Sequence, residues 1–103
     1  MYKLLYLPLA QKDLAVIVAG LAGLPQAPLT AAAFIDNLAA GVAQLRQAPH
    51  AGHVYQPLKP IDQEYRVLPV QNHYLFYTVK AETIEIHRAI RLRSEMREVR
   101  GEN

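Results

Sequence analysis

Arginine and histidine are the residues of this chain best equipped to do chemistry, and they are unevenly spaced. Between Arg88 and Arg100 there are five arginines (Arg88, Arg91, Arg93, Arg97, Arg100) against two acids, Glu95 and Glu98. A sixth, Arg66, stands in an alternating, β-prone run. The planar guanidinium fork suits two-point contacts to phosphate or carboxylate, so this end of the chain is fitted to nucleic acid or an acidic protein surface. The bland reading of Arg97 and Arg100 is a solvated helix face with Arg–Glu pairs. His50 and His53 form a His-x2-His pair in a Pro- and Gly-containing loop with no third ligand beside them, so no metal site is expected. His73 and His87 titrate near neutrality and could move a proton. The absence of cysteine removes disulfides, thiolate metal sites and thiol nucleophiles.

The elements that must position these groups fit one domain, residues 1–103, since 103 residues are too few for two. At this length folding hides roughly two thirds of the surface, enough for one core without staples. The apolar start, Met1 to Pro8, is too short and too Pro-interrupted for a signal peptide. The longest apolar run, Leu14 to Leu24, falls short of the roughly 20 residues that cross a bilayer. A soluble, cytoplasmic chain with no membrane contact is expected. Net charge is only +2, but its distribution is uneven: residues 1–60 hold four basic and two acidic side chains, few of either, while five arginines gather between Arg88 and Arg100. Residues 94–103 read as a basic tail.

Tyr2 to Leu7 alternates and reads as a first strand stopped by Pro8. From Leu9 the period changes: Leu14, Ile17, Val18 and Leu21 recur at helical spacing, with Gln11, Lys12 and Asp13 in the first turn, where an acid suits the dipole. Gly20, Gly23 and Pro25 break that helix. Thr30 is the expected N-cap of a second helix, Ala31 to about Gln47, with Phe34, Leu38, Val42 and Leu45 as its apolar stripe. Residues 48–64 form a loop. Strands follow at about Tyr65–Val70, Tyr74–Val79 and Thr83–Ile90, the first two joined by a Gln-Asn-His turn. The order β-α-α-β-β-β predicts a two-layer α+β domain: a helical hairpin packed on an antiparallel sheet of about four strands.

Leu14 to Leu24 carries no charge anywhere around the helix, and a helix apolar all round must be covered more completely than one sheet allows. Val16, Ile17, Leu21 and Leu24 are therefore expected to contact a partner protein or a second copy. Arg88 shares parity with Ile84, Ile86 and Ile90, so it must pair or reach an edge. Arg66 either touches phosphate or carboxylate or pairs with an acid such as Glu85. The Lys80-Ala81-Glu82 turn lacks the Gly or Asn of a two-residue hairpin. A one-residue slip there would flip side chains to the other face, so whether His87 and Arg91 share a face with Tyr74 stays open.

Two regions resemble the RelE/ParE superfamily of small toxins. Tyr6-Leu7-Pro8-Leu9-Ala10-Gln11-Lys12-Asp13-Leu14 is similar to that family's passage from strand one to helix one. The hairpin Tyr65 to Val79, continued by Ile84 to Arg93, is similar to its C-terminal strands and their run into a basic end, and the Leu45…Pro49…Gly52 spacing matches as well. The likeness spans Tyr2 to about Arg93. It implies the toxin of a type II toxin–antitoxin pair, without cofactor, held inactive by a cognate antitoxin, as a homodimer or a toxin–antitoxin hetero-oligomer.

Two activities occur in the superfamily. RelE-like members cut mRNA on the ribosome, which requires activation of a 2′-hydroxyl, cations for the scissile phosphate and an acid for the leaving oxygen. Carried onto this chain, that set keeps Arg66 and Arg91; Leu68, Tyr74 and Arg97 stand where other members of the set fall, and His87 or His73 would have to move the proton. ParE-like members bind DNA gyrase. Tyr65-Arg66, the His73-containing turn and Phe76-Tyr77 resemble this branch more, which implies a gyrase inhibitor that meets its target or partner through Arg66, Tyr74, Arg91, Arg93 and Arg97. The alternatives are a RelE-like endonuclease acting on ribosome and mRNA with Arg66, His87 and Arg91, or an inactive relative that only binds antitoxin.

Overall fold

The computed structural model describes residues 1–23, 27–55 and 63–91, and the backbone alone of 27–29. Leu24, Arg93, Arg97 and the tail from residue 94 lie outside these. The element order is β1 (Lys3–Tyr6), α1 (Pro8–Ala22), α2 (Ala27–Gln47), β2 (His53–Val54), β3 (Arg66–Val70), β4 (His73–Lys80) and β5 (Thr83–Arg91). The α+β layout follows the sequence pattern: apolar alternation yields strands and the 3.6-residue period yields helices. Both prolines near helix starts are accepted, because N–H groups of a first turn have no intrahelical partner.

Four boundaries differ from expectation. α1 begins at Pro8 and passes through Gly20 to end at Ala22, capped by Gly23, so Asp13 falls beyond the first turn and has another task. α2 begins at Ala27, which places Thr30 inside the helix rather than at its cap. The turn between β3 and β4 is Gln71-Asn72, with Gln71 at φ 53°; His73 is already the first residue of β4 and is buried. The next turn is also of two residues, with Ala81 at φ 52° and Lys80 paired to Thr83.

The sheet has five strands in the order β1-β5-β4-β3-β2, and it is mixed rather than wholly antiparallel. β1 runs parallel to β5, Lys3 opposite Thr83 and Tyr6 opposite Ile86. The helical hairpin separates β1 from the other strands. It returns the chain to the point where β1 began, where Tyr2 and Arg46 exchange backbone and side-chain hydrogen bonds of 3.1 and 2.9 Å. β2 runs antiparallel to β3, β3 runs in the direction of β1, and the two reversals of the β3-β4-β5 meander give β5 that direction again. The two-residue β2 escaped notice because so short a strand has no period to read.

The inner face of the sheet meets the helices. Phe34, Leu45, Leu75, Tyr77, Ile84 and Ile86 are fully enclosed there, with Ile17, Val18 and Leu21 of α1 and Leu38 and Val42 of α2 packed around them. α1 thus turns Ile17 and Leu21 into this chain's own core, while Val16 remains 65% exposed.

Candidate interaction site on the outer face of the sheet

One irregularity decides what the outer face presents. Phe76 pairs with Arg88 and Tyr77 with Ile86, so His87 is an extra residue on β5. Such a bulge reverses the alternation beyond it. Ile84 and Ile86 point to the helices before it, Ala89 after it, and Arg88 turns outward together with His87 and Ile90. The parity that put Arg88 in an isoleucine row holds only for an unbroken strand.

His87 and Arg88 stand at a concave groove of ≈ 640 Å³ whose walls are otherwise apolar: Leu7, Pro8, Leu9, Tyr55, Tyr65, Phe76 and Ile90. Tyr65 meets the His87 ring edge-on at 5.1 Å, and Tyr55 meets Phe76 in the same way at 5.1 Å. Tyr74, half-buried, continues this surface, its ring 6.5 Å from that of Phe76. A pocket of this size with apolar walls and a few convergent polar groups is the general form of a binding site.

Both polar groups are tethered. His87 Nε2 shares a 3.0 Å hydrogen bond with Thr78 Oγ1 and lies 3.7 Å from Glu85. Burial pulls the pKa of His87 below its ordinary value, more than the Glu85 charge raises it, while Lys80 adds to the lowering. At neutral pH the ring is therefore uncharged, and its approach to Glu85 is no ion pair. Arg88 is held by Asp13: Nε to Oδ2 at 2.6 Å and Nη2 to Oδ1 at 3.1 Å, while the Ala89 amide donates to Oδ2 at 3.0 Å. This answers where Arg88 finds a partner, and it is the task of Asp13 in α1. Burial raises the Asp13 pKa, but the Arg88 hydrogen bond, the Ala89 amide and the Arg88 and Lys12 charges hold it below the usual carboxylate range.

The other site residues lie elsewhere. Arg66 pairs with Tyr77 in the sheet and so belongs to the inner-face row. Its Nη1 donates to the His50 and Gly52 carbonyls at 3.0 and 2.9 Å, and Nη2 lies 2.9 Å from Glu64 rather than near Glu85. Tyr77 completes this knot: its hydroxyl donates to the Pro49 carbonyl at 2.8 Å and accepts the Gly52 amide at 3.0 Å. Arg91 is exposed and pairs with His73 at the far end of the sheet. Four steps along β4 separate the rows of Arg66 and Arg91, roughly 13 Å at the usual rise. The structure thus does not bring Arg66, His87 and Arg91 together: two lie in inner-face rows four residues apart along β4, and the third faces outward. Sequence reasoning missed the groove itself, because its walls come from the residue after β1, the start of α1, residues 55 and 65, and strands β4 and β5.

The described residues contain no helix long and apolar enough to cross a membrane. Among solved structures, a chain of the chromosomal ParDE TA system from P. aeruginosa is similar in fold, with a TM-score of 0.69 and 22% identity over 89% of this chain and 97% of that one. A copper-bound mutant toxin from Helicobacter pylori is similar at a TM-score of 0.61 and 21% identity, covering 93% and 99%. No curated protein matches. The family described as ParE toxin of type II toxin-antitoxin system, parDE, matches residues 4–97. With nearly the whole chain inside that match, and a β-α-α-β-β-β-β order around one five-stranded sheet, the chain belongs to the ParE toxin family of type II toxin–antitoxin systems.

Proposed function

We propose that this chain is a toxin that inhibits DNA gyrase by binding it, in the cytoplasm of a bacterial cell, and that a cognate antitoxin neutralises it. The observation that carries a binding mode is the dispersal of the candidate nuclease residues. Phosphodiester cleavage needs proton-transfer groups and cations within hydrogen-bond reach of one phosphate. Arg66 and Arg91 occupy inner-face rows four residues apart along β4, and Arg66 is engaged by two carbonyls and Glu64. A shaped apolar groove with Arg88 at its rim suits adhesion better than catalysis. The outer face, Tyr74 included, is the surface this reading assigns to target or antitoxin, with Arg91, exposed in an inner-face row at the end of β5, next to it. Arg93 and Arg97 extend the same basic end in sequence. Val16, exposed on α1, offers a second contact for the antitoxin or for another copy in a hetero-oligomer or homodimer.

One observation supports the ribosome-dependent mRNA endonuclease as the second reading. The bulge sets His87 beside Arg88, so an uncharged base and a cation share one rim. Brief expression in bacteria separates the two. Gyrase poisoning induces the DNA-damage response, and purified chain then blocks supercoiling by gyrase. Early arrest of protein synthesis with cut mRNA would replace the first reading with the second. Co-expression of the protein encoded by the adjoining reading frame is expected to restore growth.

A further inference from the structure

We propose that Asp13 is a positioning residue for the outer-face groove: it fixes the Arg88 guanidinium at the rim so that the remaining N–H donors meet an anionic group carried on an apolar partner segment. This rests on the reading that the groove is a contact surface. Arg88 lies just past the bulge with its side chain 46% exposed, a setting in which a long side chain would otherwise sample many rotamers. Asp13 removes that freedom by gripping Nε and Nη2, and its own carboxylate is anchored by the Ala89 amide, so the grip is fixed to the β5 backbone. Nη1 makes no hydrogen bond among the described residues, and Arg88 lines the groove. A guanidinium already ordered loses less entropy when it binds an anion than a mobile one does. Asp13 is also the one side chain of α1 that hydrogen-bonds to β5 among the described residues, which makes the helix part of the site's geometry without touching the ligand.

The test uses the full chain and anilinonaphthalene sulfonate, an aromatic anion of the proposed chemistry, in fluorescence titrations. Arg88→Ala is expected to weaken dye binding about tenfold, and Asp13→Asn, which keeps an oxygen for the Ala89 amide, about threefold, within the range set by ordering one long side chain. The double variant should bind no worse than Arg88→Ala alone, because Asp13 acts through Arg88. A purely structural role predicts the opposite: Asp13→Asn would weaken binding equally in the Arg88→Ala background, and that result overturns the proposal. Unchanged or tighter binding by Asp13→Asn, with Arg88→Ala still weak, also overturns it and leaves the groove reading standing. No dye binding by the wild type, or no effect of Arg88→Ala, removes the groove reading and this inference together. Glu64→Gln, which breaks an ion pair elsewhere, serves as the control and should leave the titration unchanged.

Discussion

The two faces of the sheet use the same kinds of residue for opposite ends. On the inner side an arginine and a tyrosine, Arg66 and Tyr77, are consumed by backbone: between them they bind Pro49, His50 and Gly52, closing the segment after α2 onto the sheet. On the outer side an arginine and a histidine, Arg88 and His87, are tethered by side chains and still line an open groove. A polar group bound to backbone becomes structure. One bound to another side chain at a rim can be re-partnered without unfolding the sheet, because backbone ladders are left intact. The comparison locates this chain's interaction chemistry on the outer face, and it can be broken or sharpened experimentally.

The largest contrast is between two phenylalanines. Phe34 is fully buried on the inner side, and Phe34→Ala should cost about 3 to 5 kcal/mol of stability. Half-buried Phe76 on the outer side should cost about 2 kcal/mol or less on replacement by Ala, and should mainly reduce toxicity and antitoxin binding. Chemical denaturation of both variants, with growth and binding assays, checks the split. Equal stability losses would erase the distinction between the faces.

Next comes the inner knot. A Cβ at Gly52 would lie 2.5 Å from the Tyr77 hydroxyl and 2.7 Å from the Val67 carbonyl. The second atom is backbone and cannot step aside, so Gly52→Ala should destabilise by about 2 kcal/mol, and the fall in Tm measures it. Tyr77→Phe removes the hydroxyl that the Pro49 carbonyl and Gly52 amide use, and should cost about 1 to 2 kcal/mol by the same measurement.

Acid should loosen both faces. Burial first, and the Arg91 charge second, lower the pKa of His73, which is 8% exposed against the edge of Phe34 with Nδ1 unpartnered. His87 is lowered too. The unfolded chain, with histidines near 6.5, then binds more protons than the folded one as acidity rises. Stability is complete above about pH 6.5 and declines as pH falls through the lowered values. Denaturation midpoints at successive pH values should show this slope, and His73→Leu should flatten part of it. A midpoint indifferent to pH in that window would contradict the buried, neutral His73. The smallest effect belongs to the ion pair of Arg66 with Glu64, whose side chain is 60% exposed: Glu64→Gln should shift stability by less than about 1 kcal/mol in denaturant titrations.

Much of this was legible in the residues, and the failures have identifiable causes. Apolar periods located both helices and the three long strands, since burial on one face imposes a spacing that sequence displays directly. The parallel β1–β5 pairing was not legible, because strand direction depends on the path of the connections between elements. Nor was the outward turn of Arg88, because one inserted residue at His87 reverses every parity after it.

By itself the sequence determined which segments coil and which extend, and the family likeness. Only the tertiary structure decided which arginine is bound to backbone and which is held at a groove. Partners such as Asp13 and Arg88 lie 75 residues apart, and contacts across that separation arise from the packing of elements rather than from any local pattern.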